Sequence, residues 1–217
     1  MAKPRELLII GSGGLAKEAA QLARRIDPQS QRWPRISYVG PSAAELGMTL
    51  PFGTVRYQDA DLATRSELAD VVIGIGHPRA RRMAATRLRE NCALQFPNLV
   101  HPSIEIDPAL VLLGMGNMLT LGVVLTCDIR IGDFNLFNWN STVGHDAVLG
   151  SFNVINPSSS VSGRVTLGDA CLLGTGCRVL EELSIASDVI IGAGAVVIAS
   201  IHGPGTWVGV PARQVVR

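Results

Sequence analysis

Counting forward from Leu113 in steps of six, the chain presents Leu119, Leu125, Ile131, Phe137, Val143, Leu149, Ile155, Val161, Leu167, Leu173, Val179, Ile185, Ile191 and Val197. With about half of all residues apolar, such an unbroken run arises by chance roughly once in tens of thousands of trials. A helix repeats every 3.6 residues and a simple strand every 2, so neither generates a period of six. A glycine often follows the aliphatic position, at Gly114, Gly132, Gly150, Gly168, Gly174 and Gly192. Three of these, Gly132, Gly150 and Gly168, are spaced by three hexapeptides, which predicts triangular coils of three short strands with tight corners. The expectation at these corners is that glycine supplies a backbone conformation other residues reach only with strain. Four positions after each aliphatic residue the side chain is mostly small or apolar, as at Ser141, Ala147, Ser159, Val165, Cys171 and Cys177, which suits a narrow interior. The pattern is that of a left-handed parallel β-helix of about five coils over 113–201, an exception to the right-handed crossover rule. Ile104 and Leu110 are six apart but out of phase, so the stack is expected to open with an irregular coil.

The first hundred residues have another texture. "ELLIIGSGG" reads as a buried strand ending in a glycine turn, "LAKEAAQLARRI" as a helix, "RISYVG" and "DVVIGIG" as further strands, and "PRARRMAATRLREN" as a second helix. This is a Rossmann-like α/β arrangement, which divides the chain into a small α/β part over 1–100 and a β-helix part with a C-terminal tail over 101–217. Charge divides the same way: residues 1–102 hold 14 basic against 9 acidic residues, and 103–201 hold 3 against 9. Arg79, Arg81, Arg82, Arg87 and Arg89 on the second helix read as a solvated face. "GSGGLA", residues Gly11, Ser12, Gly13, Gly14, Leu15 and Ala16, fits a relaxed dinucleotide fingerprint that would set a phosphate at a helix N-terminus. A nicotinamide site also asks for an acid at the end of the second strand, and "YVGPS" supplies none before Glu45. Two readings stay open for the turn: a phosphate or nucleotide-sugar ligand, or glycines that serve the turn alone.

Several classes are disfavoured. A net charge of +1 argues against a nucleic-acid binder. No apolar run reaches a membrane span, and the opening "MAKPRELLII" does not read as a signal peptide, so a cytoplasmic protein is expected. Cys92, Cys127, Cys171 and Cys177 form no C-x-x-C pair and read as reduced small hydrophobes, and no metal is expected. A γ-type carbonic anhydrase uses the same helix but needs three histidines around zinc; His77, His101 and His202 lie outside the regular coils, leaving His145 alone.

The succession "IIGSGGLAKEA", "VVIGIGHPRAR", "NLVHPS", "NSTVGHDAVLG", "VSGRVTLGDACLLGTG", "IIGAGAVV" and "VGVPAR" covers nearly the whole chain. It resembles the bacterial hexapeptide-repeat sugar acyltransferases of the UDP-4-amino-sugar N-acetyltransferase and sialic acid O-acetyltransferase type. The resemblance implies a homotrimer that uses acetyl-CoA as co-substrate to acetylate a sugar amine or hydroxyl, the sugar being nucleotide-linked and destined for surface polysaccharide. It implies His145 as catalytic base, Asp146 as the acid that orients it, and Gly163 as the donor of an oxyanion N–H. It implies a substrate role for Asn138 and for the Gly11, Ser12, Gly13, Gly14 turn. It further implies CoA in a groove between neighbouring β-helices, held by Gly174, Thr175, Gly192 and Ala193, with Val210 and Pro211 near the adenine end; for these residues, a purely structural corner role stays open.

Position alone puts His145 two residues beyond inward Val143, on the outside of the prism, where a histidine is either solvated or a base able to accept a proton near neutral pH. The sequence departs from the family at three points: Leu15 stands for a histidine, Gly40-Pro41 for an acidic pair, and Val154 for a second histidine nine residues after the first. The first two changes bear on uridine recognition and the third on contacts to the donor acetyl group, so a nucleotide other than uridine, or a weakly held one, is expected. A non-catalytic trimeric assembly or ligand-binding protein is the alternative reading.

Overall fold

The computed structural model describes residues 4–215. Five parallel strands, β1 (Glu6–Ile10), β2 (Arg35–Gly40), β4 (Gly53–Gln58), β5 (Ala69–Ile73) and β6 (Leu94–Gln95), and antiparallel β3 (Thr49–Leu50) form one sheet in the order β3-β4-β2-β1-β5-β6. The central strands are hydrophobic along their length because both faces are covered, as parallel sheets require. Helix α1 (Gly14–Ile26) buries an alanine-rich stripe of Ala16, Ala19, Ala20 and Ala23. Helix α2 (Pro78–Leu88) begins at a proline, whose missing N–H costs nothing in a first turn.

From β7 (Leu99–Val100) onward the chain winds into three parallel sheets. The six-residue series steps through them in strict rotation: Leu119, Phe137, Ile155, Leu173 and Ile191 lie in the first, Leu125, Val143, Val161, Val179 and Val197 in the second, and Leu113, Ile131, Leu149, Leu167 and Ile185 in the third. Strand partners are 18 residues apart, as Val143 and Val161 are, and the series forms one continuous core. The left-handed β-helix read from the repeat is the observed fold. Cys171 and Cys177 lie in its interior, and burial pushes the Cys171 thiol up to about 11.

The corner glycines work differently from the expectation. Gly132 and Gly150 are not left-handed; a Cβ at either would come within 2.9 Å of the backbone carbonyl of the next coil. Glycine is needed there for close approach of stacked coils. The left-handed conformation falls two residues later, at Asp128, Phe134, Asn140, Asp146, Phe152, Ser158, Arg164 and Ala170, and at Gly116, Gly122, Gly176 and Gly194, so glycine holds it at only some corners. Asn117, Asn135 and Asn153 also form a buried ladder: each side-chain oxygen accepts the backbone N–H one coil onward, at 2.8 Å in every step through to Cys171. The ladder satisfies corner amides that the narrow interior would otherwise strand.

The α/β part docks on the outer face of the first sheet. Met118, Leu136 and Val154 point outward there and are buried against the α1 side of the small sheet. Helix α2 runs along one prism edge; Arg79, Arg87 and Arg89 lie on its exposed face, as expected, but form ion pairs there, and Arg81 departs from that face altogether. Arg79 and Arg82 reach Asp188 at 3.4 and 3.3 Å, Arg89 reaches Asp133 at 3.3 Å, and Arg87 pairs with Asp59. Arg81 is fully buried, and none of its guanidinium nitrogens has a hydrogen-bond partner among the described residues. Burial pushes this guanidinium down to about 9.

Candidate active site

His145 follows Gly144 at the corner between the second and third sheets and is about half exposed, as is Asp146. Gly144 has no room for a side chain, since a Cβ would meet the Gly163 nitrogen at 2.6 Å. Asp146 adopts the left-handed conformation, φ 58°. That turn brings its carboxylate back to the preceding ring, where Asp146 Oδ2 lies 2.7 Å from His145 Nδ1. With the carboxylate accepting from Nδ1–H, the lone pair is left on Nε2. Nε2 lies over Gly163, where a Cβ would stand 2.7 Å from it. The Arg164 N–H donates to the His145 carbonyl at 2.8 Å and fixes the two coils to each other. No protein acceptor takes up the Gly163 N–H among the described residues. One edge therefore joins a base with a free ring nitrogen, an acid that orients it and an uncommitted amide donor.

The other predicted residues lie elsewhere. Asn138, Gly174 and Gly192 share the edge between the first and second sheets, with Thr175 and Ala193 one position further on. Asn138 Nδ2 donates to Asn156 Oδ1 at 3.2 Å, and a Cβ on Gly174 would meet the Ala193 nitrogen at 2.5 Å. Val210 and Pro211 are exposed in the tail, which is anchored where the Ala212 N–H donates to the Val196 carbonyl at 2.8 Å. Within one chain this edge is separate from that of His145.

The glycine turn forms a third locus. Gly11 has φ 106° and donates its N–H to the Val39 carbonyl. Gly13 caps α1 without a side-chain hydrogen bond, the first turn of the helix carries no acid, and a Cβ on Gly13 or Gly14 would meet only open space. The helix therefore presents free N–H groups and the positive end of its dipole to solvent beside Ser12. Leu15 is half-buried against the α1 cluster, and Val154 is fully enclosed by it, so the position of the family's second histidine carries packing here.

Sequence reasoning named Glu45 only as an acid too distant from the second strand and gave it no role. It closes a short 3-10 turn, Ala43–Glu45, and its Oε2 is buried without a hydrogen-bond partner at the end of β2, 3.2 Å from where a Gly40 Cβ would be. The one available signal was an acid five residues past the strand. Among the described residues no group of three histidine, cysteine or acidic side chains could hold a metal ion, and no helix is long and apolar enough to cross a membrane.

No protein-family model and no curated protein matches the chain. Solved structures do. The acetyltransferase domain of PglB from Neisseria gonorrhoeae FA1090, in complex with acetyl coenzyme A, superposes with a TM-score of 0.88 at 27% identity, over 98% of this chain and 100% of that one. A histidine-to-asparagine variant of perosamine N-acetyltransferase from Caulobacter crescentus, in complex with CoA and GDP-perosamine, gives 0.87 at 28%, over 98% and 97%. WeeI from Acinetobacter baumannii AYE gives 0.84 at 26%, over 97% and 100%. These similarities run through both the α/β part and the β-helix. These solved structures are of bacterial hexapeptide-repeat sugar acyltransferases, the class the sequence resembles. The chain is an enzyme, an acyltransferase.

Proposed function

We propose that the chain transfers an acetyl group from acetyl-CoA to an amine or hydroxyl of a nucleotide-linked sugar, with His145 as general base. The observation that carries this reading is the 2.7 Å contact between His145 Nδ1 and Asp146 Oδ2, which leaves Nε2 as a base beside the Gly163 amide. Nε2 takes the proton as the acceptor nitrogen or oxygen attacks the thioester carbon. The Gly163 N–H meets the charge that grows on the carbonyl oxygen. As the carbon–sulfur bond breaks, the imidazolium returns its proton to the departing thiolate, and Asp146 stabilises the ring while it is charged. No metal is required in this scheme.

The site is read as shared between protomers of a homotrimer. His145, Asp146 and Gly163 occupy one prism edge, while Asn138, Gly174, Thr175, Gly192 and Ala193 occupy another. Only a neighbouring prism can close a cleft between the two sets, with Val210 and Pro211 at its outer end. The faces left uncovered by the α/β part carry exposed Leu112, Val124 and Val148, which suits burial against another copy. The acceptor's phosphates are assigned to the Gly11, Ser12, Gly13, Gly14 turn, so the 1–100 part holds the acceptor and the 101–217 part carries the chemistry. Dependence on acetyl-CoA favours the cytoplasm as the site of action.

Free thiol release from acetyl-CoA, followed over a panel of nucleotide-linked amino and hydroxy sugars, tests the reading. Turnover with at least one acceptor, lost in His145→Ala, is the expected result. Acetyl-CoA binding without turnover on any acceptor would make this a ligand-binding assembly instead.

A further inference from the structure

We propose that Glu45 is the residue through which the enzyme recognises the ribose of its nucleotide acceptor, accepting hydrogen bonds from the sugar hydroxyls. The inference rests on the nucleotide-linked reading above and names the group that selects the nucleotide. In open parallel sheets, ligands bind beyond the carboxyl ends of the strands, beside the point where the strand order reverses. Here the chain runs from β1 outward through β2 and β4, then returns to the other side of β1 with β5, so the reversal lies at β1. Glycines stand just beyond or at the ends of three adjacent strands: Gly11 after β1, Gly40 at the end of β2 and Gly74 after β5.

Gly40 and Glu45 fit each other. A Cβ at position 40 would lie 3.2 Å from both Glu45 Cβ and Oε2 and 3.0 Å from Val55 Cγ1, so glycine leaves the room in which the glutamate folds over the strand end without crowding. The turn that delivers it is tied down, with the Glu45 N–H donating to the Ser42 carbonyl, Met48 N–H to the Glu45 carbonyl and Gly47 N–H to the Val55 carbonyl. The result is a carboxylate oxygen withdrawn from solvent with no donor to satisfy it. Packed against Gly40 and undonated, that oxygen leaves the carboxylate under-solvated, and the second oxygen, Oε1, which is not among the buried ones, is the atom able to accept from a ribose diol with its two hydroxyl donors. The open N-terminus of α1 is next door: the Gly11 N–H bonds the Val39 carbonyl, so the glycine turn and the end of β2 are about one strand spacing apart, ~4.8 Å. Phosphate at the turn and diol at Glu45 is the order in which a nucleoside diphosphate presents these groups.

Calorimetric titration of the full chain with GDP, UDP and their 2′,3′-dideoxy counterparts tests the assignment. The wild type is expected to prefer both ribose forms by about tenfold or more, Glu45→Ala to bring each pair close to parity, and Glu45→Gln, which keeps one acceptor oxygen, to fall between. Acetyl-CoA affinity, measured in parallel, should be unchanged in both variants, which also checks that they fold; if Glu45→Ala fails that check, Glu45→Gln against the wild type decides. Parity in the wild type, a ribose preference that survives the substitution, or selection by base alone overturns the role of Glu45. Turnover of a nucleotide-linked sugar alongside such a result would leave the proposed function standing. Failure of every nucleotide to bind while acetyl-CoA binds would instead overturn the nucleotide-linked reading, and this assignment with it.

Discussion

Side chains of adjacent residues in extended backbone point apart, so a His-Asp pair in sequence is not ordinarily a pair in space. The left-handed φ of Asp146 is what joins them here, and it belongs to the corner, since the same conformation recurs every six residues. Replacing His145 with Ala should lower kcat by about 100-fold or more, the usual worth of a general base, while acetyl-CoA affinity holds. Asp146→Asn keeps the shape but removes the charge that stabilises imidazolium, so kcat should fall less than for His145→Ala; equal kcat to wild type would confine Asp146 to a corner role. Gly163→Ala sets a methyl 2.7 Å from Nε2 and should displace the ring, lowering kcat with little change in acetyl-CoA affinity. Arg81 offers a different test. Its depressed folded-state value, about 9, means the unfolded chain binds the extra proton between that value and the ordinary guanidinium range. Stability therefore rises with pH across that window, and below it the buried charge is a full cost. Arg81→Met should raise Tm at pH 7 by roughly 2–4 °C or more. The gap between variant and wild type should narrow at pH 10; a lower Tm for the variant at both pH values would mean the guanidinium has a stabilising partner.

At the level of elements, what the sequence made legible was whatever repeats. A period of six with no polar member admits only one kind of packing, so the three sheets and the inward series could be read directly. The His145 corner was legible for the same reason, because its distance from Val143 fixed its place on the prism. Contacts between distant segments were not legible. The partner of Arg79 is Asp188, 109 residues away, and nothing near Arg79 distinguishes a docked arginine from a solvated one. Glu45 was noted only as an acid too far past the strand, because a short turn folds it back onto Gly40, a local path that periodicity does not encode. Corner glycines were assigned the wrong cause: close approach and left-handed backbone both favour glycine, and sequence alone does not separate them. The glycine turn before α1 gives an element-scale prediction. A Cβ on Gly13 meets no protein atom within 4 Å, so Gly13→Val should leave the fold intact while crowding whatever binds the helix N-terminus. The acceptor KM should rise far more than the acetyl-CoA KM; equal changes, or none, would reduce "GSGG" to a turn.

For the whole molecule, the separation of the two prism edges is the decisive geometry. A monomer of 23.0 kDa carries the proposed base on one edge and the proposed CoA residues on another, so the site as proposed takes two copies placed side by side. Light scattering should give about three times the monomer mass, because a heterologous contact that closes on itself at this geometry makes a ring of three. Mass alone does not show that the site is shared, but mixing variants does. His145→Ala removes the base, and Ala193→Glu, at an exposed corner position, sets a negative charge where the anionic CoA is proposed to lie. Each homotrimer should be inactive. When the two are unfolded together and refolded at equal concentration, a site regains activity where an Ala193→Glu protomer supplies His145 and its His145→Ala neighbour supplies the intact Ala193 edge. Random assembly produces that combination at about one site in four, so recovery near a quarter of wild-type activity is expected. No recovery from mixed trimers of confirmed composition would place base and CoA residues within one protomer and remove the reason for the assembly.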